Sequence, residues 1–305
     1  MQRLDKIEDI AALEGPLFLA FGVFDGVHIG HRAVIGRAVD GARSVGGISG
    51  VVTFEPHPIR VLAPEKAPRR LLASVEHKQE ILGELGVDVL VVVPFNPEFA
   101  RTEPAEFVGA LNKAAKDLRM LAVGEDWKFG RGRGGDVSFL RREGARHGFD
   151  VVAVPPVMMD GERVSSTRIR QAIRDGNMEA AARMLGRRHS VVGKVVEGRR
   201  LGRTIGFPTV NLAIGEEQMP PDGVWTVRVK AADQWHPGVA NLGRRPTVGG
   251  DLRTLEAHLL DFSGNLYGKT IEVEFGQKLR NEQKFSSIKE LRQQIHQDIE
   301  AARKL

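Results

Sequence analysis

The chain of 305 residues contains no cysteine. Disulfides, thiolate metal centres and a cysteine nucleophile are thereby excluded, and nothing in the composition opposes a reducing compartment. Aromatic residues make up 6% of the chain, with a single tyrosine. That is too few for a sheet face dressed with base-stacking rings, so an RNA-associated module is the weaker reading. Long apolar runs are missing as well: the longest, such as residues 89–95, fall far short of the ~20 residues a membrane helix needs. Residues 1–14 mix both charge signs around no apolar segment, so no secretory signal is expected. The expectation is a soluble cytoplasmic protein, a monomer or weak homo-oligomer, with neither a membrane nor a nucleic acid as partner.

What is present begins with basic charge. Lys and Arg number 44 against 39 Asp and Glu, a net +5 that favours acidic ligands such as nucleotides. At about 150 residues per domain the length suggests two domains, and the patterning changes character near residue 186. Before it, β-branched runs at 17–23, 50–54, 87–93, 120–123 and 150–154 alternate with helical periods at 32–42, 75–85, 104–116 and 137–146. Two more helical stretches follow at 167–174 and 178–185. That alternation predicts a Rossmann-like α/β domain over 1–185, with a parallel sheet and crossover helices. Strands at 190–196, 224–229, 238–242, 255–260 and 271–275 then come without intervening helices. They predict an antiparallel β-barrel over 186–305, finished by an amphipathic helix at 287–303.

The segment Phe21-Gly22-Val23-Phe24-Asp25-Gly26-Val27-His28-Ile29-Gly30-His31 leaves a strand and enters a helix. In an open α/β sheet such a turn lies where ligands bind, and the free N–H groups of the helix start favour an anion. Two imidazoles there can donate hydrogen bonds to phosphate oxygens as charge builds up on them. Gly30 lets the backbone approach closely, and Gly22 and Gly26 permit the sharp turn. Taken alone, the pair could equally be capping or surface histidines, and Asp25, His28 and His31 could form a metal set. Ser165-Ser166-Thr167-Arg168-Ile169-Arg170 then brings hydroxyls to a helix start with an arginine one turn in. Such an element suits the far phosphates of a nucleoside triphosphate.

A second chemical segment joins Gly198, Gly202 and Gly206 with Arg199, Arg200 and Arg203 in one loop, ahead of Phe207-Pro208-Thr209-Val210-Asn211. The glycines allow backbone N–H groups to face phosphates. Thr209 and Asn211, two apart in extended chain, point to one side and could hold one Mg²⁺ on ATP phosphates. Glu256 and His258 share a face by the same rule, and Glu256 could accept a substrate hydroxyl proton as general base. Three near misses carry less. His28-Ile29-Gly30-His31 spells an aminoacyl-tRNA synthetase signature without its partner motif. Gly130-x-Gly132-x-x-Gly135 does not directly follow a strand, and Gly268-Lys269-Thr270 lacks the first P-loop glycine.

Together these motifs resemble the bacterial bifunctional riboflavin kinase/FAD synthetase family. In the first half the resemblance is carried by the G-x-F-D-G-x-H-x-G-H turn, Thr53-Phe54-Glu55-Pro56-His57-Pro58, Val123-Gly124-Glu125-Asp126-Trp127-Lys128-Phe129-Gly130 and the Ser-Ser-Thr-x-Ile-Arg element. In the second half it is carried by the motif ending at Asn211, Gly238-Val239-Ala240-Asn241-Leu242-Gly243-x-Arg245-Pro246-Thr247, Leu255-Glu256-x-His258-Leu259, the 261–268 turn and Leu279-Arg280-x-Glu282-x-Lys284-Phe285. The resemblance implies an HxGH nucleotidyltransferase domain followed by a riboflavin-kinase barrel. It implies phosphorylation of riboflavin to FMN by ATP with Mg²⁺, then transfer of AMP from a second ATP to FMN, giving FAD and pyrophosphate. On the adenylyltransferase side it places ATP at Gly22, Phe24, His28, Gly30, His31, Ser166, Thr167 and Arg170, with Asp25 and His57 nearby and Asp126 on the flavin. On the kinase side it makes Thr209 and Asn211 the Mg–ATP ligands, Glu256 the base on the ribityl 5′-hydroxyl, and Arg280, Glu282 and Phe285 flavin contacts. Trp127 stands where the family usually has Phe, and Val210 where it usually has Ala. A chain with a working kinase and an impaired adenylyltransferase is the alternative.

Overall fold

The computed structural model describes residues 1–198, 201–232, 234–247 and 250–304. Arg199 and Arg200 of the glycine–arginine loop lie outside the described residues, as do the side chains of Arg245, Pro246 and Thr247. The chain divides into two compact units: Met1–Arg69 with Val75–Ser166, and Arg70–Ser74 with Thr167–Leu305.

The first unit is built on β1 (Gln2–Leu4), β2 (Leu17–Phe21), α1 (Ile29–Val45), β3 (Ile48–Glu55), α2 (Pro58–Leu62), α3 (Val75–Glu84), β4 (Val89–Pro94), α4 (Pro104–Ala114), β5 (Leu118–Gly124), α5 (Val137–His147) and β6 (Asp150–Val154). Its sheet is parallel throughout, in the order β1-β4-β3-β2-β5-β6. Because strand side chains alternate between faces, the near-continuous apolar runs feed two cores. Leu19, Phe21, Val91 and Leu121 pack with Phe107 and Leu111 of α4 and Leu140 of α5. Ala20, Leu90 and Ala122 pack with Ile35 and Val39 of α1 and Ile81 and Leu82 of α3. The order in which strands are added reverses about β2, whose two neighbours are β3 and β5. In such sheets the crevice at the carboxyl ends of those strands receives ligands. β1 has no counterpart in the sequence reading, because its three residues are too short to show a period. After β6 come a short hairpin, β7 (Met158–Met159) with β8 (Glu162–Arg163), then α6 (Ser166–Arg174).

The second unit continues with α7 (Met178–Leu185), β9 (Ser190–Val196), α8 (Leu201–Thr204), β10 (Val210–Ile214), β11 (Gly223–Ala231), β12 (Gln234–Thr247), β13 (Gly250–Leu259), β14 (Thr270–Arg280) and α9 (Ile288–Arg303). The six strands close into a barrel, β10-β13-β12-β11-β14-β9, each neighbour antiparallel. Alternating burial along β11 marks the inward face, and fully buried Trp225 meets Phe275 of β14 edge-on at 6.1 Å. β12 and β13 run longer than their apolar cores at 238–242 and 255–260 suggest, since ladder pairing extends into the polar residues around Gly243 and Thr254. Residues 70–74 belong to this unit. Leu71 bridges to Glu217, and the buried Glu217 carboxylate accepts from Ser74 N at 2.9 Å and Val192 N at 2.8 Å. No hydropathy pattern announces that strap.

Candidate active sites

In the first unit, a pocket of about 330 Å³ opens at the reversal point. Its wall gathers residues from the end of β2 onward (Phe21 to Asp25, His28, Gly30, His31), Gly124, Asp126 and Trp127 from the end of β5, and Val154 to Val157 from the end of β6. His57, Arg163 and Ser166 complete it, so residues scattered over the sequence converge, while Thr167 and Arg170 are not part of the wall. The helix start is made by His28, whose Nδ1 accepts from His31 N at 3.3 Å; α1 carries no acidic residue in its first turn. With Nδ1 as acceptor, a neutral His28 carries its proton on Nε2.

The His28 and His31 rings stack at 3.5 Å and 18°, and Phe24 meets His31 edge-on at 5.3 Å. Burial, together with His28, Lys78 and Arg163, pushes the His31 pKa well below its ordinary value, so this imidazole is neutral near pH 7. Its Nδ1 is shut from solvent and has no hydrogen-bond partner among the described residues. Ser166 Oγ donates to the Asp25 carbonyl at 3.0 Å, tying the second motif to the first turn. Thr167 and Arg170 follow along α6 in the stretch belonging to the second unit, where Arg170 Nη2 donates to Thr167 Oγ1 at 3.3 Å. His57 caps α2, accepting from Ile59 N at 3.3 Å. Asp126 pairs with both terminal nitrogens of Arg163, which holds its carboxyl below the usual range. Trp127 stacks on Phe129 at 4.7 Å and 12°, presenting an aromatic wall. Arg163 and Lys78 escaped the sequence reading, because neither lies in a motif. Among the described residues no group of three or more His, Cys, Asp or Glu is placed to hold a metal ion.

In the second unit, a cavity of about 440 Å³ lies at the barrel rim beside α9. Thr209, Asn211, Glu256 and His258 all line it, with Gly202, Arg280, Glu282 and Phe285. Strand register explains the convergence. Asn211 of β10 and Asn241 of β12 both pair with Glu256 of β13, making a polar row across three strands. The place of Asn241 opposite Glu256 follows from strand register, not from any local spacing. Its Nδ2 donates to Glu282 Oε1 at 3.0 Å, bringing the 282–285 segment over the row. Arg280 spends its guanidinium on Asp298 of α9, donating from Nε at 3.0 Å and Nη2 at 2.8 Å, while lying 5.7 Å from the Phe285 ring centre. Asn211 Oδ1 is buried with no hydrogen-bond partner among the described residues. Leaving such an acceptor dry costs about 1–3 kcal/mol, which a ligand recovers.

A third cavity, of about 530 Å³, lies on the other side of Thr209 and includes Arg203, Pro208, Phe262, Asn265 and Tyr267. Thr209 lines both cavities. Gly206 carries φ +90, and Gly198 abuts Asn211: a Cβ built there would stand 2.3 Å from Asn211 Nδ2. Gly198→Ala therefore displaces the amide. On the resemblance given above, the expected result is a KM for ATP in the kinase reaction raised about tenfold, equivalent to ~1.4 kcal/mol, with the FMN adenylylation rate unchanged. Steady-state kinetics with each flavin check it, and an unchanged KM contradicts the packing.

A doubly wound sheet with an anion-seeking helix start, in one chain with a barrel carrying a carboxylate between two amides, defines a two-site nucleotide-dependent transferase. A family model for FAD synthetase matches residues 11–168, and one for riboflavin kinase matches residues 185–305. The bifunctional riboflavin kinase/FMN adenylyltransferase of Escherichia coli (strain K12) is 42% identical over 286 residues, covering 93% of this chain and 91% of that one. The enzyme of the same description from Pseudomonas fluorescens is 42% identical over 285 residues, with the same coverage. The chain belongs to the bifunctional riboflavin kinase/FMN adenylyltransferase family. A crystal structure described as a macrolide-efflux protein from Streptococcus pneumoniae shares the architecture, with TM-score 0.85 and 31% identity over 99% of this chain and 98% of that one. Among the described residues here, no helix is long and apolar enough to cross a membrane.

Proposed function

We propose that the two activities of the family are held by two separate pockets of this chain, the kinase at the barrel rim and the adenylyltransferase at the histidine turn. The protein phosphorylates riboflavin to FMN and adenylylates FMN to FAD, each with ATP. The assignment of residues rests above all on the Asn211–Glu256–Asn241 row with its partnerless Asn211 Oδ1.

In the kinase reaction, riboflavin occupies the cavity bounded by α9, and ATP the one bounded by Phe262 and Tyr267. Thr209, common to both walls, marks where the transferred phosphoryl passes. Glu256 accepts the proton of the ribityl 5′-hydroxyl as that oxygen attacks the γ-phosphorus, and ADP departs. Asn211 Oδ1 and the Thr209 hydroxyl form a hard oxygen pair that fits one Mg²⁺, whose charge screens the phosphates when bound. Glu282, held by Asn241, and Phe285 close over the flavin, and Arg280 positions α9 through Asp298.

In the adenylyl transfer, a phosphate oxygen of FMN attacks the α-phosphorus of ATP and pyrophosphate leaves. His28 Nε2–H, His31 and the N–H groups at the start of α1 receive the charge that accumulates. Trp127 offers the flavin a flat wall beside Asp126. We assign residues 1–185 to this activity and 186–305 to the kinase. We assign the chain to the cytoplasm, where ATP and flavin are both at hand, as a monomer or weak oligomer without a nucleic-acid partner.

The test is magnesium titration. Chelation stops both reactions, and Asn211→Ala raises the Mg²⁺ needed for half-maximal FMN formation at least about tenfold, a loss of ~1.4 kcal/mol. Its requirement for FAD formation from supplied FMN stays at the wild-type value. An Asn211→Ala protein with unaltered magnesium dependence in the kinase reaction removes that ligand.

A further inference from the structure

α3 carries a lysine that neither reaction, as assigned above, uses. Lys78 is only 4% exposed and does not form part of the pocket wall. Burying an ammonium is costly unless its protons are matched. Here Nζ donates to the Val23 carbonyl at 2.8 Å and to Thr53 Oγ1 at 3.1 Å, and Thr53 Oγ1 itself donates to Val23 O at 2.8 Å. One carbonyl is thus held by α3 and β3 together. That carbonyl sits at the root of the turn bearing the histidines. Immediately after it, Phe24 (φ +50) and Val27 (φ +42) take the left-handed backbone that side-chain-bearing residues avoid. Such conformations persist only where the surroundings over-determine them. Ser166 Oγ on Asp25 O and Arg32 Nε on Val27 O at 3.3 Å hold the far side; Lys78 holds the root.

We propose that Lys78 is a positioning residue for adenylyl transfer: from beneath the turn its ammonium fixes Val23 so that the His28/His31 pair faces the phosphates, and it adds positive charge to the anion pocket from outside its wall. The proposal rests on the reading that the histidine pair meets ATP phosphates. A packing role alone would be met by an apolar side chain of similar length. The charge is what calls for explanation, and the acidic groups facing it, Asp25 from the turn and Glu55 from β3, sustain it against burial, which pulls its pKa down. The positive groups felt by His31 are His28, Lys78 and Arg163. Lys78 is among the causes that keep His31 unprotonated, after burial and His28.

Lys78→Met, assayed in the full-length protein, is expected to lower kcat for FAD formation from supplied FMN at least tenfold. The acid limb of its pH profile moves to higher pH, because a cation opposing His31 protonation has gone while Asp25 and Glu55 remain. Lys78→Arg restores the charge and returns the limb toward its wild-type position. FMN formation from riboflavin by the same protein stays unchanged and reports an intact second unit. A Lys78→Met protein with wild-type kcat and an unmoved limb overturns the proposal. So does equal loss in the Met and Arg variants with the limb unmoved, which marks packing only. The double variant His28→Ala, His31→Ala separates the two ideas. If it forms FAD at the wild-type rate, the phosphate assignment falls and the Lys78 role with it; if it fails while Lys78→Met succeeds, the Lys78 role alone falls.

Discussion

Glu256→Gln is expected to reduce FMN formation from riboflavin by about 10²–10⁴-fold, the range lost when a general base is removed, while supplied FMN is converted to FAD at the wild-type rate. Glutamine preserves the volume and most of the hydrogen bonding of glutamate, and position 256 sits in β13 between two amide-bearing neighbours, Asn211 and Asn241. The barrel should therefore fold unchanged. What the amide cannot do is take a proton from the ribityl hydroxyl. Every residue lining the pocket proposed for adenylyl transfer lies in the other unit, so that step is expected to be unaffected. Product chromatography after incubation with each flavin decides it. Equal loss of both products contradicts separate sites.

Replacing His28 and His31 together by Ala is expected to do the reverse, lowering FAD formation from FMN by about 10³-fold or more, given about 10²–10³ per oriented donor, and sparing the kinase. The single substitutions separate two contributions of His28. Its Nδ1 caps α1 by accepting from His31 N, so His28→Ala also costs about 1 kcal/mol at the helix start. His28→Asn keeps a capping oxygen without an imidazole. It should retain thermal stability yet lose the rate, and a stable, fully active His28→Asn protein removes His28 from the chemistry.

Much of the molecule was legible from residue order. The period-two and period-3.6 segments located β2 to β6 with α1, α3, α4 and α5, though not the five-residue α2, and the change after Gly186 marked the barrel. Local spacing alone sets Thr209 with Asn211 in one pocket wall and His28 with His31 in the other. What stayed hidden depends on partners far away in sequence. Asn241 acquires its place only from the pairing that sets it opposite Glu256. Arg280 sits in a motif expected to touch flavin, yet its guanidinium is committed to Asp298, 18 residues on. Lys78 lies in an ordinary amphipathic helix, where a lysine reads as surface; its burial under the Val23 carbonyl is a tertiary fact. The 70–74 strap has no periodic signature at all, being held by backbone bonds to residues 216–218 and by the Glu217 carboxylate.

Complementation between the two disabled proteins tests the separation of sites most directly. Glu256→Gln protein and the His28→Ala, His31→Ala protein are mixed with riboflavin, ATP and Mg²⁺, and FAD is followed by chromatography. The mixture is predicted to form FAD, because FMN released by the intact barrel of one variant is adenylylated by the intact histidine pocket of the other, while neither variant forms it alone. A mixture that stays without FAD although each protein keeps its remaining activity, or either variant making FAD from riboflavin unaided, would contradict two independent sites.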